Sequence, residues 1–440
     1  MLKRESAILK SSPSKISAPP VIHRAEWIVP VCSPPVRNGA VLIHGGRIVA
    51  AGPFPAIRRD SPAGARLADH GQAALFPALV NAHTHLELSA LRGRIPFPQP
   101  GFREWIGLLF PLRAAMGPHG ADEGLRAGYA ELLTSGTGLC GDITNGGAIL
   151  RPSTFSKIPE RQVFLELLGF NLNSVAAAMH ASPASERAVE IEARTFDPAP
   201  QAGDGRPALV PHSVYSVSPA IIAESKEWTR ARGLPFSIHA AEHIEEIEFL
   251  RSGKGFCREL LEMLGRWDSG WKPPGKTPLE YLDGLGALDY RTLLVHAVHM
   301  TESDWALAAQ KNCNVVFCPR SNWNLGSGSP RIEKALSLGI NCALGTDSLA
   351  GNTDLNLFAE AGFTLDNYPS INPEKVIEMI TLNPARALGR KGDFGSLEPG
   401  AKAHLLAVTI QSGVDESNLA ESLIQSGKEG AWKWVDDSQS

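Results

Sequence analysis

From about residue 75 onward, short apolar runs recur between longer stretches of helical periodicity. Eight of these runs read as strands: residues 75–80, 138–143, 162–168, 208–212, 236–240, 292–297, 314–318 and 341–346. They are almost continuously apolar, the pattern of parallel strands buried on both faces. The segments between them carry apolar residues at three- and four-residue spacing, as in 121–135 and 373–388. Eight such units over roughly 310 residues predict an α/β chain folded as a (β/α)8 (TIM) barrel, here residues 75–390. In that architecture the C-terminal strand ends face the active site.

The pattern differs on either side. Residues 19–74 read as short strands and turns, including a hairpin over 41–52 turning at Gly45-Gly46. Strand and turn signals return in 391–440, so both chain ends are expected to build one small β-sandwich domain. Residues 1–18, rich in Ser and Lys, are expected to be a mobile leader. The longest insertion, 245–290, holds Gly, Trp and Pro, and predicts a partly helical cover near the site mouth.

Composition narrows the partners. A formal charge of -4 and no basic stripe speak against nucleic acid. No apolar run approaches the ~20 residues of a membrane helix, and the opening Met1-Leu2-Lys3-Arg4-Glu5 lacks the apolar centre of a secretory signal. The six cysteines include no C-x-x-C and fit buried free thiols in a reducing cytoplasm. The expectation is a cytoplasmic protein with a small-molecule substrate; the assembly is left open, a homodimer being one option.

Polar clusters close four of the expected strands: Asn81-Ala82-His83-Thr84-His85, His239-Ala240-Ala241-Glu242, Val295-His296-Ala297-Val298-His299 and Leu344-Gly345-Thr346-Asp347. On an extended segment, His83 and His85 point the same way. With His239 and Asp347 they supply the imidazoles and carboxylate that one divalent ion, zinc or iron, takes as ligands. Such an ion lowers the pKa of its water from ~16 toward ~7. Asp347 has a second expected task, orienting or deprotonating that water. Glu242, three residues past His239, can shuttle protons without ligating, and His296 can stabilise developing charge. Read singly, each has a plain alternative: a hydrogen-bonded core histidine, a helix cap at Asp347, a solvated helix-start acid at Glu242. Gly270–Thr277 matches the P-loop pattern, but Pro273 and Pro274 lack the N–H groups that cradle phosphate.

These clusters, with Cys318-Pro319-Arg320-Ser321-Asn322, resemble the amidohydrolase superfamily, in particular its branch of cytosine, guanine and adenosine-type deaminases and chlorotriazine hydrolases. The resemblance spans about residues 20 to 410. It implies His83, His85, His239 and Asp347 as ligands of one ion, and Glu242 and His296 as the proton-handling pair. The third and fourth expected strands lack the lysine of two-metal members. Ala403-His404-Leu405 departs from the family, which usually has an acid in the middle position. His85–Ser89, Phe102–Ile106 and Pro211–Pro219 look like aminodeoxyfutalosine deaminases of menaquinone synthesis. That likeness implies an adenine nucleoside with a benzoate tail, and Glu87, Trp105 and His212 as substrate contacts. Arg320 and Arg92 are the candidates to meet the carboxylate, each with a structural loop role as its alternative. Deamination of methylthioadenosine, S-adenosylhomocysteine or guanine, triazine-type dechlorination, and a barrel without catalysis are the alternatives.

Overall fold

The computed structural model describes residues 19–145, 159–181 and 207–435; the expected leader, 1–18, lies outside them. Five strands open the chain: β1 (Val21–Ile28), β2 (Val36–His44), β3 (Arg47–Pro53), β4 (Arg66–Asp69) and β5 (Ala73–Pro77). Eight follow in the middle: β6 (Leu79–Thr84), β7 (Thr137–Thr144), β8 (Glu160–Leu167), β9 (Ala208–Pro211), β10 (Phe236–Ala240), β11 (Thr292–His296), β12 (Asn314–Phe317) and β13 (Asn341–Leu344). Two close it, β14 (Leu405–Thr409) and β15 (Trp432–Trp434).

The middle strands form two four-stranded parallel sheets, β6-β7-β8-β9 and β10-β11-β12-β13. Both are buried through nearly every residue, as their apolar runs require. Backbone hydrogen bonds link the sheets at both ends of the series: His239 N–H donates to the His212 carbonyl (2.9 Å), and Asp347 N–H to the His83 carbonyl (3.1 Å). The helix Pro219–Ala231 shows why the intervening segments are helical. Ser218 accepts a hydrogen bond from the Ile221 N–H, Pro219 fits the first turn, and Ile221, Ile222, Ser225 and Thr229 make one buried face.

The chain ends do meet, but in a single mixed seven-stranded sheet ordered β15-β14-β5-β1-β2-β3, with β4 beside β1. Among the described residues the strands of the chain ends all belong to this one hydrogen-bonded sheet. The run expected as one strand, 75–80, is divided: Ala73–Pro77 pairs with β1 and β14 in this sheet, and Leu79–Thr84 begins the parallel series. The turn at Gly45-Gly46 forms with both glycines at positive φ (61° and 73°), which the two-residue hairpin requires.

The helical segment expected at 121–135 is the second part of Phe102–Thr134, broken at Gly117, whose φ is 61°. The insertion is partly helical, with Ile244–Ser252, Phe256–Met263 and Pro278–Gly284. Aromatic stacking fastens it: Trp271 lies on Phe249 (4.8 Å between centroids) and Trp267 on Phe170 (5.8 Å). No helix among the described residues is long and apolar enough to cross a membrane. Of the six cysteines only Cys32 is exposed, and all six are free thiols.

Candidate active site

The two sheets bring their C-terminal ends together at His83, His85, His239 and Asp347. His83 and His85 extend from β6, and their Nε2 atoms lie 3.8 and 3.6 Å from Asp347 Oδ1. Asn81 holds the approach: its Nδ2 donates to Thr346 Oγ1 (2.7 Å), and its Oδ1 accepts from the N–H groups of His83 and Thr346. Gly345 permits it, because a Cβ there would sit 2.8 Å from the His83 carbonyl oxygen. Asp347 adopts φ 56°, a left-handed conformation costly for a non-glycine residue. Ser321 Oγ donates to its Oδ2 (2.6 Å), leaving Oδ1 toward the imidazoles.

These groups fit a divalent cation. Neither ring nitrogen of the buried His83 has a hydrogen-bond partner, an expensive arrangement unless a ligand completes it. His239 donates from Nδ1 to the His212 carbonyl (2.9 Å), which leaves its Nε2 lone pair available. Burial, reinforced by the neighbouring imidazoles, holds His83 and His85 well below the usual histidine range and His239 at about 4, so all three are neutral donors. Burial also pushes the Asp347 carboxyl up to about 6, with the Glu242 charge adding to it. The described residues group His83 with His85 and Asp347, and with His239 and His296, each set with ligand atoms within 4.8 Å of one another.

Beside this cluster lies a carboxylate flanked by imidazoles. Glu242 Oε1 is 3.4 Å from His296 Nε2 and 3.2 Å from His243 Nε2. Burial raises the Glu242 carboxyl, but His243 and His296 outweigh it and hold the group well below the carboxylate range. His296 Nδ1 donates to Asn322 Oδ1 (2.8 Å), which turns its Nε2 inward. His243 stacks on Phe102, with centroids 4.0 Å apart. Glu246 accepts the N–H groups of Ala241 (2.9 Å) and Glu242 (3.1 Å), fixing the bend that carries Glu242. Ala241, His296 and Ala297 all have positive φ, at 54°, 74° and 53°.

A cavity leads from this centre, and His85, His239, Glu242, His296 and Asp347 stand on its wall. Of the expected substrate contacts, His212 and Trp105 line it and Glu87 and Arg320 do not. Glu87 is buried behind the wall, accepting from Thr144 Oγ1 (2.8 Å) and Asn145 N–H (3.2 Å). Arg320 forks onto Asp354 with two 2.8 Å bonds, so its guanidinium is already engaged. Arg92 pairs with Glu131. The guanidiniums that reach the cavity belong to Arg113 and Arg266, and Glu166 adds a carboxylate. None was singled out from sequence. Arg113 lies in the first part of the long helix, which the apolar spacing did not delimit. Glu166 carried a signal, a carboxylate inside the apolar run 163–168.

The Amidohydrolase family model matches residues 74–429. This chain belongs to the amidohydrolase family. It is 30% identical over 385 residues to a 5-methylthioadenosine/S-adenosylhomocysteine deaminase of Nitratidesulfovibrio vulgaris strain DP4, covering 86% of this chain and 80% of that protein. It is 31% identical over 369 residues to an aminodeoxyfutalosine deaminase of Deinococcus radiodurans, covering 81% and 82%. The fold is similar to that of Helicobacter pylori aminofutalosine deaminase, solved with methylthio-coformycin, at TM-score 0.79 and 20% identity over 94% of this chain and 97% of that one. It also resembles a zinc-bound adenosine deaminase from Xanthomonas campestris, at TM-score 0.74 and 24% identity over 92% and 90%.

Proposed function

We propose that this amidohydrolase deaminates an adenine nucleoside by hydrolysis, with one divalent ion, zinc or alternatively iron, held by His83, His85, His239 and Asp347. The carrying observation is the juxtaposition of that His/Asp cluster, in which His83 has no hydrogen-bond partner, with Glu242, itself set between His296 and His243 on the wall of the cavity. We further read the two parallel sheets, joined at both seams, as a closed (β/α)8 barrel.

When bound, a divalent ion makes a coordinated water acidic enough to lose its proton near neutral pH. Glu242 would take that proton and pass it to the ring nitrogen as the water oxygen bonds to the amine-bearing carbon, then carry the second proton of that water to the amino group, so that the C–N bond breaks and ammonia leaves. His296, held by Asn322 through its Nδ1–H, turns Nε2 toward Glu242, where it would orient the attacking water. Asp347 takes a share in orienting the water. His212 lies beside His239, with ring centroids 4.8 Å apart, and can meet the purine edge. Trp105, fixed by donating Nε1–H to the Ala350 carbonyl (2.9 Å), supplies an apolar wall. The far wall, with Leu260, Leu261, Leu264 and Arg266, suits an apolar tail ending in a carboxylate, as in aminodeoxyfutalosine.

The test is ammonia release by metal-loaded protein from aminodeoxyfutalosine, methylthioadenosine, S-adenosylhomocysteine, adenosine, guanine and cytosine, and chloride release from a chlorotriazine. Turnover of the nucleosides is expected, and preference for aminodeoxyfutalosine would connect the enzyme to menaquinone synthesis. Turnover confined to the free bases or the triazine would overturn the nucleoside assignment.

A further inference from the structure

Glu166 is a buried carboxylate on the cavity wall, and the deamination chemistry leaves it without a task. It projects from β8 and is 4% exposed. Its Oε2 accepts from Asn145 Nδ2 (2.8 Å). Its Oε1 is 3.7 Å from His239 Nδ1, but that N–H is directed to the His212 carbonyl at 2.9 Å. One carboxylate oxygen is therefore left for a donor coming from the cavity. Glu166, His212 and His239 also have ligand atoms within 4.8 Å of one another, yet a second cation there would compete with the proton on His239 Nδ1.

Arg113 stands on the same wall. Its Nη2 donates to Asn145 Oδ1 (2.5 Å) and lies 3.5 Å from Glu87 Oε1. Asn145 thus joins the two charges, accepting from one and donating to the other. Glu87 is buried behind them and fixes the guanidinium while remaining out of the cavity. The wall offers a strong acceptor beside a strong donor, both held by hydrogen bonds before any ligand arrives.

Two neighbouring hydroxyls complement that pair, because each hydroxyl can donate once and accept as well. We propose that Glu166 and Arg113 form a vicinal-diol subsite that reads the ribose of the substrate, Glu166 accepting from one hydroxyl and Arg113 donating to its neighbour. The inference rests on the nucleoside reading above and adds a requirement for an intact cis-diol. Charge-assisted hydrogen bonds of this kind carry discrimination of roughly ten- to a hundredfold each, since a missing hydroxyl leaves a buried charged group unpaired.

The experiment compares adenosine with 2′-deoxyadenosine and 3′-deoxyadenosine in metal-loaded wild type and Glu166→Gln. Wild type should lose roughly ten- to a hundredfold in kcat/KM on at least one deoxy substrate. In Glu166→Gln the ribo substrate should fall toward the deoxy one, so that the ratio approaches unity, with the loss mainly in KM. Binding of the products inosine and 2′-deoxyinosine, followed by calorimetry, should show the same collapse and needs no turnover. Arg113→Met keeps the apolar stem and should also narrow the ratio. Equal losses on ribo and deoxy substrates would assign Glu166 to orienting His239 and overturn the subsite, as would a wild type indifferent to both hydroxyls. Turnover of free bases with no nucleoside turned over would instead remove the nucleoside reading itself.

Discussion

The two parallel sheets hold buried polar groups by different means. The sheet β6-β7-β8-β9 carries charge inside its strands and neutralises it locally. Arg161 and Asp142, both fully buried, pair at 2.9 Å, and Asp142 also accepts the Leu86 N–H at 3.1 Å. The sheet β10-β11-β12-β13 has nearly apolar strands and turns its chemistry outward at their ends, through residues in the left-handed region: Ala241, His296, Ala297 and Asp347. Among the described residues, no non-glycine residue of the first sheet or its strand ends does so. One half thus relies on charge pairing and the other on backbone strain held by surrounding packing.

The largest expected effect comes from cutting the junction of the halves. His83→Ala or Asp347→Ala should abolish both metal retention and ammonia release, checked by elemental analysis and a turnover assay. A variant active without metal would remove the proposed centre. Next, Glu242→Gln on the second sheet's bend should keep the metal and lower kcat by roughly 10²–10⁴. Wild-type turnover there would move the proton shuttle elsewhere.

A third test separates charge from strain. Arg161→Met strands Asp142 without its cation and should cost about 3–5 kcal/mol, read as a drop in denaturation midpoint. A loss below about 1 kcal/mol would mean that Asp142 is readily satisfied otherwise. The smallest effect should be Ala297→Gly, which relieves a positive φ and should stabilise by up to ~1 kcal/mol. Destabilisation there would count against the strain account of the second sheet.

How much of this could be read from the chain alone follows the same division. The second sheet was legible because its strands are short, apolar and closed by recognisable polar clusters; residues 236–240 were placed to the residue. The expected 314–318 and 341–346 ran one and two residues past the strands found, because the motif residues there leave the ladder. In the first sheet the strands and the His83/His85 pair were legible, but the charges inside the strands were not. Asp142, Arg161 and Glu166 lie within strands, where one-dimensional pattern cannot say which partner each faces. Arg320 shows the converse, a motif residue whose side chain is spent on Asp354. The ends were legible as strands that meet, whereas an alternating pattern does not report how many sheets they share.

The clamp between Asn81 and Thr346 spans 265 residues of chain. During synthesis, therefore, the first two imidazoles leave the ribosome long before their carboxylate partner. Until residue 347 emerges, His83 and His85 have neither the carboxylate nor the seam to rest against. In the proposed centre, loading with metal would thereby wait for near-completion of the polypeptide, and a truncated product would lack the grip to withdraw ions from the cell's supply.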